Sequence, residues 1–485
     1  MTQLLGRQAE LALIGEFLNQ NGSGLTYLRG RRRIGKSLLL KHVQNQHPHA
    51  FYFVGLQDST TRATLRLFAE KWDQFCGDTE LTDISSSKLN WERVFTAITR
   101  KARVSKIVLL FDEIQWIAKE RSGFMGLLKV AWEDWKSTGN VKLVLCGSSN
   151  NFFFKKTGGE EKILRGLKTF AEIWVRPFSL KEVKQYYFPE WTHEQVCLLY
   201  MMVGGIPYYL EQFVDRKNFI RSINKTLFTQ SSIFLDEMQE VLKLEFKSRG
   251  LEKAAAVLSV LGVQGTTEAQ VVKKTGLAQS TAHEVLDTLV DYDLIEARNK
   301  LPAVKKQNDA GIRYHSTDFF LNFYFSVLQP MQHQIRANRD ALLFPYHCLG
   351  SQSGYYIPGY SGECFELLVL ETLRRRELHI PIMQKLRLLD QNFEVGTYWK
   401  DKETQVDIVV EHAGDRESRI LECKWVNHSL ALSSNLLAAL LNKKYPAPKD
   451  YRTRYFLLSS QTLSAGLLQA LREQSVEIFS LEDLF

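Results

Sequence analysis

Along the first part of the chain, short apolar runs alternate with stretches of helical period. Residues 25–28, 51–54, 107–111, 142–146 and 171–175 are rich in aliphatic and aromatic side chains and predict strands. Between them, residues 36–46, 62–75, 91–102 and 123–136 carry the three-to-four-residue apolar spacing of helices. Such alternation predicts parallel strands with helices on both faces over residues 1–178. From 179 to 250 no strand signal survives, and the pattern is that of a helical lid broken at Gly204-Gly205-Ile206-Pro207. Residues 251–261, 267–275 and 280–292 then predict three short helices, punctuated by Gly262, Gly265 and Gly276. Two strand-like pieces, 294–298 and 312–316, follow. Three helices and a two-stranded wing form the winged-helix order, assigned to residues 251–330. Residues 331–358 read as a linker ending in glycines and a proline, and 359–485 as a last α/β unit.

Composition changes this picture little. The 485 residues predict roughly three domains, and 45% apolar with 24% charged residues is ordinary globular usage. Disorder and a disulfide-stapled mini-protein are both excluded. A net charge of +8 permits a nucleic-acid partner without requiring one. None of the six cysteines forms a C-x-x-C pair, which argues against zinc and for a reducing compartment. The N-terminus lacks a basic segment followed by an apolar one, and no apolar run approaches the roughly 20 residues that span a bilayer. A soluble, cytoplasmic protein with no membrane partner is expected.

The first candidate chemistry is a phosphate loop. Gly30-Arg31-Arg32-Arg33-Ile34-Gly35-Lys36-Ser37 satisfies G-x4-G-K-[ST], between the strand at 25–28 and the apolar helix start Leu38-Leu39-Leu40. Glycines let such a loop curl until backbone N–H groups, here at Gly30, Arg33, Ile34, Gly35 and Leu38, face phosphate oxygens. The helix N-terminus adds a favourable dipole. Lys36 is then placed for the β- and γ-phosphates and Ser37 for Mg²⁺. The three arginines have two readings, a solvated or salt-bridged loop and direct contact with nucleotide or DNA.

The apolar run Ile107-Val108-Leu109-Leu110-Phe111 ends in Asp112 and Glu113. A continuous apolar run suits a strand buried in a parallel sheet, and ligands of such sheets sit at the strands' carboxyl ends. Asp112 is therefore expected to hold Mg²⁺ through water, and Glu113 to orient or deprotonate an attacking water. The strand at 142–146 ends in Gly147-Ser148-Ser149-Asn150, where Ser149 is the candidate γ-phosphate sensor. Arg165 and Lys168 are candidate cationic fingers. No guanine-reading N-K-x-D motif follows, so ATP is the expected cofactor.

These residues resemble the archaeal-type ATPases within the signal-transduction ATPases with numerous domains, over most of the chain. Leu5-Gly6-Arg7 with Glu10-Leu11 is similar to that family's opening G-R-x-x-E-L, and Gly30 to Ser37 to its G-R-R-R-x-G-K-[ST]. Gly204-Gly205-Ile206-Pro207-Tyr208-Tyr209-Leu210 resembles its G-G-x-P-x-Y-L signature. The resemblance implies that this turn, with Pro207, sits near the nucleotide and couples it to the following helices. Tyr314 to Pro330 resembles the segment closing the family's winged helix, although Phe319 stands where proline is usual.

Many members of the family carry a C-terminal domain related to restriction-endonuclease-like nucleases, which directs attention to the tail. Asp407-Ile408-Val409-Val410-Glu411 predicts a strand, His412 to Arg416 a turn, and Arg419 to Trp425 the returning strand. Alternation puts Glu422 and Lys424 on one face and Leu421, Cys423 and Trp425 on the other. Asp407 opposite Glu422 and Lys424 resembles the D…E-x-K arrangement of those nucleases. Carboxylate oxygens of Asp407 and Glu422 would hold hard Mg²⁺, and Lys424 would position water or stabilise charge on phosphorus. Glu366, in a nearly all-apolar helix, fits the glutamate that completes such a site. The plainer alternative pairs Glu363 and Glu366 with Arg374–Arg376 or Lys385, and reduces Glu422 and Lys424 to an ion pair.

In the winged helix, Gln279, Ser280, Thr281 and His283 could meet bases, but Glu284, Asp287 and Asp291 would repel phosphates. Arg298, Lys300, Lys305, Lys306 and Arg313 form either a solvated wing or a grip on DNA backbone. The expectation is thus a multidomain α/β protein. It comprises a P-loop NTPase parallel sheet with helical lid, a winged helix, and a C-terminal restriction-endonuclease-like α/β domain. It would be an ATP-hydrolysing switch controlling a Mg²⁺-dependent DNA endonuclease. A nucleotide-gated DNA-binding regulator and an oligomeric scaffold with a non-cleaving nuclease-like fold stay open, as does homo-oligomer formation.

Overall fold

The computed structural model describes residues 4–119, 122–147, 172–246, 248–301, 312–337, 355–399, 405–426, 440–443 and 445–485. The chain divides into two compact units, residues 1–177 with 291–293, and residues 178–290 with 294–485.

In the first unit five strands form one sheet in the order β2-β3-β4-β1-β5, every neighbouring pair parallel. They are β1 (Gly24–Arg29), β2 (Ala50–Val54), β3 (Ile107–Asp112), β4 (Val141–Gly147) and β5 (Glu172–Trp174). β4 is buried along its whole length, as its aliphatic run requires. Helices Thr61–Cys76 and Trp91–Val104 begin where Thr60 and Asn90 accept hydrogen bonds from Ala63 N and Arg93 N. Their apolar stripes put Phe68, Trp72, Trp91 and Phe95 into one core with Phe51, Phe53 and Phe111 of the sheet. The rings meet mostly edge to face, as between Phe51 and Trp72 at 5.1 Å and 79°. That core fixes the carboxyl ends of β1, β3 and β4, where chemistry would lie.

The second unit begins with helices Leu180–Tyr186, His193–Val203, Pro207–Leu210, Phe219–Leu227 and Phe234–Glu245. Reciprocal capping boxes, Ser179 with Glu182 and Thr192 with Gln195, start the first two. Helices Ser248–Leu261, Glu268–Thr275 and Gln279–Asp291 follow, with the antiparallel hairpin β6 (Glu296–Arg298) and β7 (Arg313–His315). The span expected as a linker starts as helix instead. Gln329–Ala337 is helical with Ile335 buried, so apolar packing prevails over the irregular pattern there.

Helix Ser361–Arg374 then packs on a mixed sheet of order β12-β11-β10-β9-β8. Its strands are β8 (Phe393–Trp399), β9 (Gln405–His412), β10 (Glu417–Lys424), β11 (Arg452–Ser459) and β12 (Glu477–Phe479). β8, β9 and β10 run antiparallel, and β10, β11 and β12 parallel. The described part of the wing packs on this domain. Leu301 N donates to Thr397 O at 3.0 Å, and the Leu301 side chain enters the core formed by Tyr398, Val406, Val409 and Ile420. Arg374 pairs with Glu296 and Arg298 with Glu371, each at 2.5 Å. Although burial opposes it, these arginines hold the Glu296 carboxyl down to about 2.

Two glycines give a contrast that stability measurements can check. A Cβ on Gly205 would lie 2.0 Å from Phe178 O, whereas one on Gly362, inside its helix, meets nothing within 4 Å. Gly205→Ala should therefore cost about 1–3 kcal/mol or more, and Gly362→Ala should be neutral or gain up to about 1 kcal/mol. Chemical denaturation of the two variants in parallel distinguishes them; equal midpoints would remove the steric argument.

Candidate functional site

The phosphate loop leaves β1 at Arg29 and enters helix Lys36–Gln46 through Gly35, whose φ of 95° is left-handed. Gly30 has φ 152°, and a Cβ there would stand 2.4 Å from Val175 O, so only glycine lets the loop pass β5 this closely. Lys36 is 5% exposed, and its Nζ donates to Gly30 O at 2.7 Å and Arg31 O at 2.9 Å. Burial lowers its pKa, with Cys146, Glu113 and Asp112 opposing. Arg7 braces the loop from outside. Its Nη2 donates to Ile34 O at 2.8 Å, while Nη1 reaches Arg176 O at 2.6 Å and Glu10 Oε1 at 3.0 Å.

Asp112 ends β3 wholly buried. Its Oδ1 accepts from Glu113 N at 2.9 Å and its Oδ2 from the Tyr52 hydroxyl at 2.8 Å. Burial first, and then Asp112, raise the Tyr52 phenol, and Ser37 lies beside the same hydroxyl. Burial followed by the Asp112 charge also pushes the Cys146 thiol up. Glu113 sits at φ 49° with its carboxylate accepting from Gln115 Nε2. Lys36, Ser37, Asp112 and Glu113 thus come together, and the all-oxygen pair Ser37 and Asp112 suits Mg²⁺. Ser149, Arg165 and Lys168 lie outside the described residues.

Pro207 opens helix Pro207–Leu210 in the second unit. The preceding Gly205 is clamped by backbone, its carbonyl accepting from Phe178 N at 2.7 Å. Phe178 O in turn accepts from the Tyr200 hydroxyl at 2.7 Å and from Arg375 Nη2 at 3.2 Å. Arg375 immediately follows the helix that carries Glu366.

The second cluster lies on β9 and β10. Their ladder runs from Glu417↔His412 to Leu421↔Ile408, and one further step brings Glu422 opposite Asp407. Asp407 and Glu422 are 7% and 5% exposed. Asp407 Oδ2 accepts from Cys423 N at 3.0 Å, and Lys424 Nζ meets Glu422 Oε1 at 2.6 Å. Sequence reasoning missed Lys443, whose Nζ lies 3.0 Å from Asp407 Oδ1 and also pairs with Glu422 Oε2. Burial would raise the Glu422 carboxyl, but Lys443 and Lys424 hold it below its ordinary value. Burial, then Asp407 and Glu422, push the Glu366 carboxyl up to about 9.

Of the plainer alternative, the Glu422–Lys424 ion pair is formed at 2.6 Å, whereas Arg374 and Lys385 are paired elsewhere. Arg374 is engaged by Glu296 and Glu371, and Lys385 by Asp483. Among the described residues no three His, Cys, Asp or Glu side chains are grouped to hold a metal ion. An ammonium joins the two carboxylates proposed as ligands, so their donor set fits a cation and Lys443 supplies one. In the winged helix, His283 is taken by Glu268 at 3.0 Å and Asp287 at 3.4 Å. Lys305 and Lys306 lie outside the described residues.

A five-stranded parallel sheet, a glycine loop between β1 and its helix, and a carboxylate ending β3 define a nucleotide-binding domain of the P-loop class. Residues 4–213 match the family described as an ATPase domain predominantly from Archaea. Residues 250–298 match the IclR helix-turn-helix domain, and residues 324–436 a family of archaeal and bacterial proteins of unknown function. An uncharacterized protein of Methanocaldococcus jannaschii is 24% identical over 420 residues, covering 86% of this chain and 87% of the relative. A Walker-type ATPase of Pyrococcus abyssi superposes with a TM-score of 0.50 at 20% identity, over 67% of this chain and 96% of its own. That likeness shows the fold alone. A signal-transduction ATPase with numerous domains from Pyrococcus horikoshii reaches only 0.31 at 13% identity, over 80% of this chain and 52% of its own. It carries no argument. The chain thus has an archaeal-type P-loop ATPase domain and a winged helix. No helix among the described residues is long and apolar enough to cross a membrane.

The Glu366 environment has a pH signature. A carboxyl whose folded pKa is raised binds protons more tightly folded than unfolded, so its stabilisation is complete below the unfolded value and falls as pH rises. For Glu366 that loss runs from the ordinary carboxyl range up to about 9. Glu366→Gln removes it. In metal-free buffer the variant's thermal midpoint should gain on the wild type as pH rises from about 5 toward 9; parallel curves would refute the assignment.

Proposed function

We propose that this protein is an ATP-hydrolysing switch whose C-terminal domain is a Mg²⁺-dependent DNA endonuclease. The observation that carries the reading is the convergence of Glu366, Asp407, Glu422 and Lys424 on one site, in a chain that also has a complete phosphate loop. In this reading residues 1–178 are the ATPase core, 179–250 the lid, 251–330 the winged helix and 359–485 the nuclease-like domain. The span 331–358 joins the last two.

At the first site Lys36 would exchange its bonds to Gly30 O and Arg31 O for the β- and γ-phosphates of ATP. Backbone N–H groups of Arg33, Ile34, Gly35, Lys36, Ser37 and Leu38 would line the phosphates, and Arg7 holds that loop through Ile34 O. Ser37 and Asp112 would hold Mg²⁺, which neutralises phosphate charge when bound. Glu113 would orient the attacking water and take its proton. Ser149 and Pro207 remain proposed nucleotide contacts.

The hydrogen bonds joining Gly205, Phe178, Tyr200 and Arg375 support a route from the lid turn to the helix of Glu366. A further tie is the Tyr360 hydroxyl, which donates to Met201 O. At the second site Asp407 and Glu422 would hold a divalent cation, which would activate water and neutralise phosphate charge when bound. Glu366, whose carboxyl burial and the Asp407 and Glu422 charges push up, would lie beside that site, and Lys424 would stabilise charge on the phosphate.

A second reading rests on Lys443. Because its ammonium already joins Asp407 and Glu422, the domain would bind DNA without cutting it and serve a nucleotide-gated regulator. Two assays decide. ATP turnover should fall at least about 100-fold in Glu113→Gln and in Lys36→Ala; unchanged turnover in both refutes the ATPase chemistry. DNA cleavage with ATP and Mg²⁺ or Mn²⁺ should vanish in Glu422→Ala and Lys424→Ala. Salt-sensitive binding with no cleavage by the wild type would select the regulator.

A further inference from the structure

The wing and the C-terminal domain enclose a cavity whose chemistry neither contributes alone. Arg313 and His315 reach it from β7, Thr397 and Trp399 from β8, and Glu366 and Asp407 from the candidate nuclease site. The wing is held there by Leu301, which is inserted among core side chains of the C-terminal domain, and by the Glu296–Arg374 and Arg298–Glu371 pairs.

The two arginines of the hairpin, opposite each other in the β6/β7 ladder, are treated differently. Arg298 is neutralised by Glu296 and Glu371. Arg313 has no carboxylate partner among the described residues, and its guanidinium lies over the Trp399 ring at 4.4 Å. Stacking on an indole fixes the plane of a guanidinium while leaving its edge N–H groups free to donate. A second polar group in the cavity wall is also unsatisfied. His315 is 5% exposed, its Nδ1 faces Val263 O at 3.3 Å, and its Nε2 has no hydrogen-bond partner among the described residues.

A guanidinium held over an indole, with no carboxylate partner among the described residues and beside a carboxylate site, matches a tetrahedral oxyanion, which it binds through two parallel hydrogen bonds. We propose that Arg313 grips a backbone phosphate of DNA led toward Asp407 and Glu366. The winged helix and the C-terminal domain would then form one composite nucleic-acid cleft, with the wing as its wall. This rests on the DNA reading above but not on cleavage.

The test is the salt dependence of duplex binding by the full chain, followed by fluorescence anisotropy in chelator so that nothing is cut. Each phosphate contact contributes about 0.9 to the slope of log K against log salt concentration. Arg313→Gln should lower the slope by about 0.9, while Arg313→Lys, which keeps the charge, should retain it. Leu301→Ala perturbs docking without removing charge and separates a structural effect from loss of the contact. A slope lowered in Arg313→Gln, retained in Arg313→Lys and not lowered by about 0.9 in Leu301→Ala supports the inference, even if no metal ever elicits cleavage. Wild-type affinity and slope in Arg313→Gln overturn it while leaving the nuclease reading intact. A wild type that binds no DNA overturns it as well.

Discussion

A charge taken out of water must find its partner inside the protein, and both candidate sites are organised by that requirement. Lys36 is surrounded by sheet and loop, so its ammonium is satisfied by the carbonyls of Gly30 and Arg31. Asp112 is fully buried, so it collects Tyr52 OH and Glu113 N. At the other site Asp407 and Glu422 share Lys443, with Lys424 beside Glu422. The same internal bonds that make these groups tolerable also aim them. Removing one partner of such a set costs more than the bond itself, because the other partner is left buried and unsatisfied.

A second constraint is backbone approach. Gly30 passes Val175 O, and Gly205 passes Phe178 O, each closer than any Cβ would allow. The two contacts sit at opposite ends of one four-residue stretch, Val175 to Phe178, that runs on from β5. In the first unit this stretch abuts the phosphate loop. In the second it abuts the turn before Pro207, which Tyr200 and Arg375 tie to the helix of Glu366.

The parts of this arrangement that were legible in the sequence are those set by local rules. A continuous aliphatic run made β3 recognisable, and the helix expected at residues 36–46 is the observed Lys36–Gln46. The phosphate loop is a contiguous motif. Alternation along β10 put Glu422 and Lys424 on one face, because a strand's period leaves no other choice. What was illegible depends on distance along the chain. Tyr52 meets Asp112 across 60 residues, Lys443 meets Asp407 across 36, and Arg7 reaches Arg176 across 169. No periodicity marks a lone lysine as the partner of two distant carboxylates. Arg7 did leave a trace, as part of the G-R-x-x-E-L opening, but its bond to Ile34 O gives that motif its physical reason.

The wing shows how a correct local reading can still misplace a function. Its basic residues suggested a surface open to solvent or to DNA backbone, because charge in a loop is normally hydrated. Leu301 instead anchors the hairpin to the C-terminal sheet. With Leu301 buried in the core of the C-terminal domain, Arg298, Lys300 and Arg313 each find an internal partner: carboxylates, Trp399 O and the Trp399 ring. The net charge of +8 is consequently a poor guide to where an anion would bind. Basic groups with carboxylate partners are spent on holding the fold together. A cation stacked on an aromatic face keeps its hydrogen-bonding capacity, and it is this distinction, rather than the count of arginines, that directs phosphate toward the junction of wing and sheet.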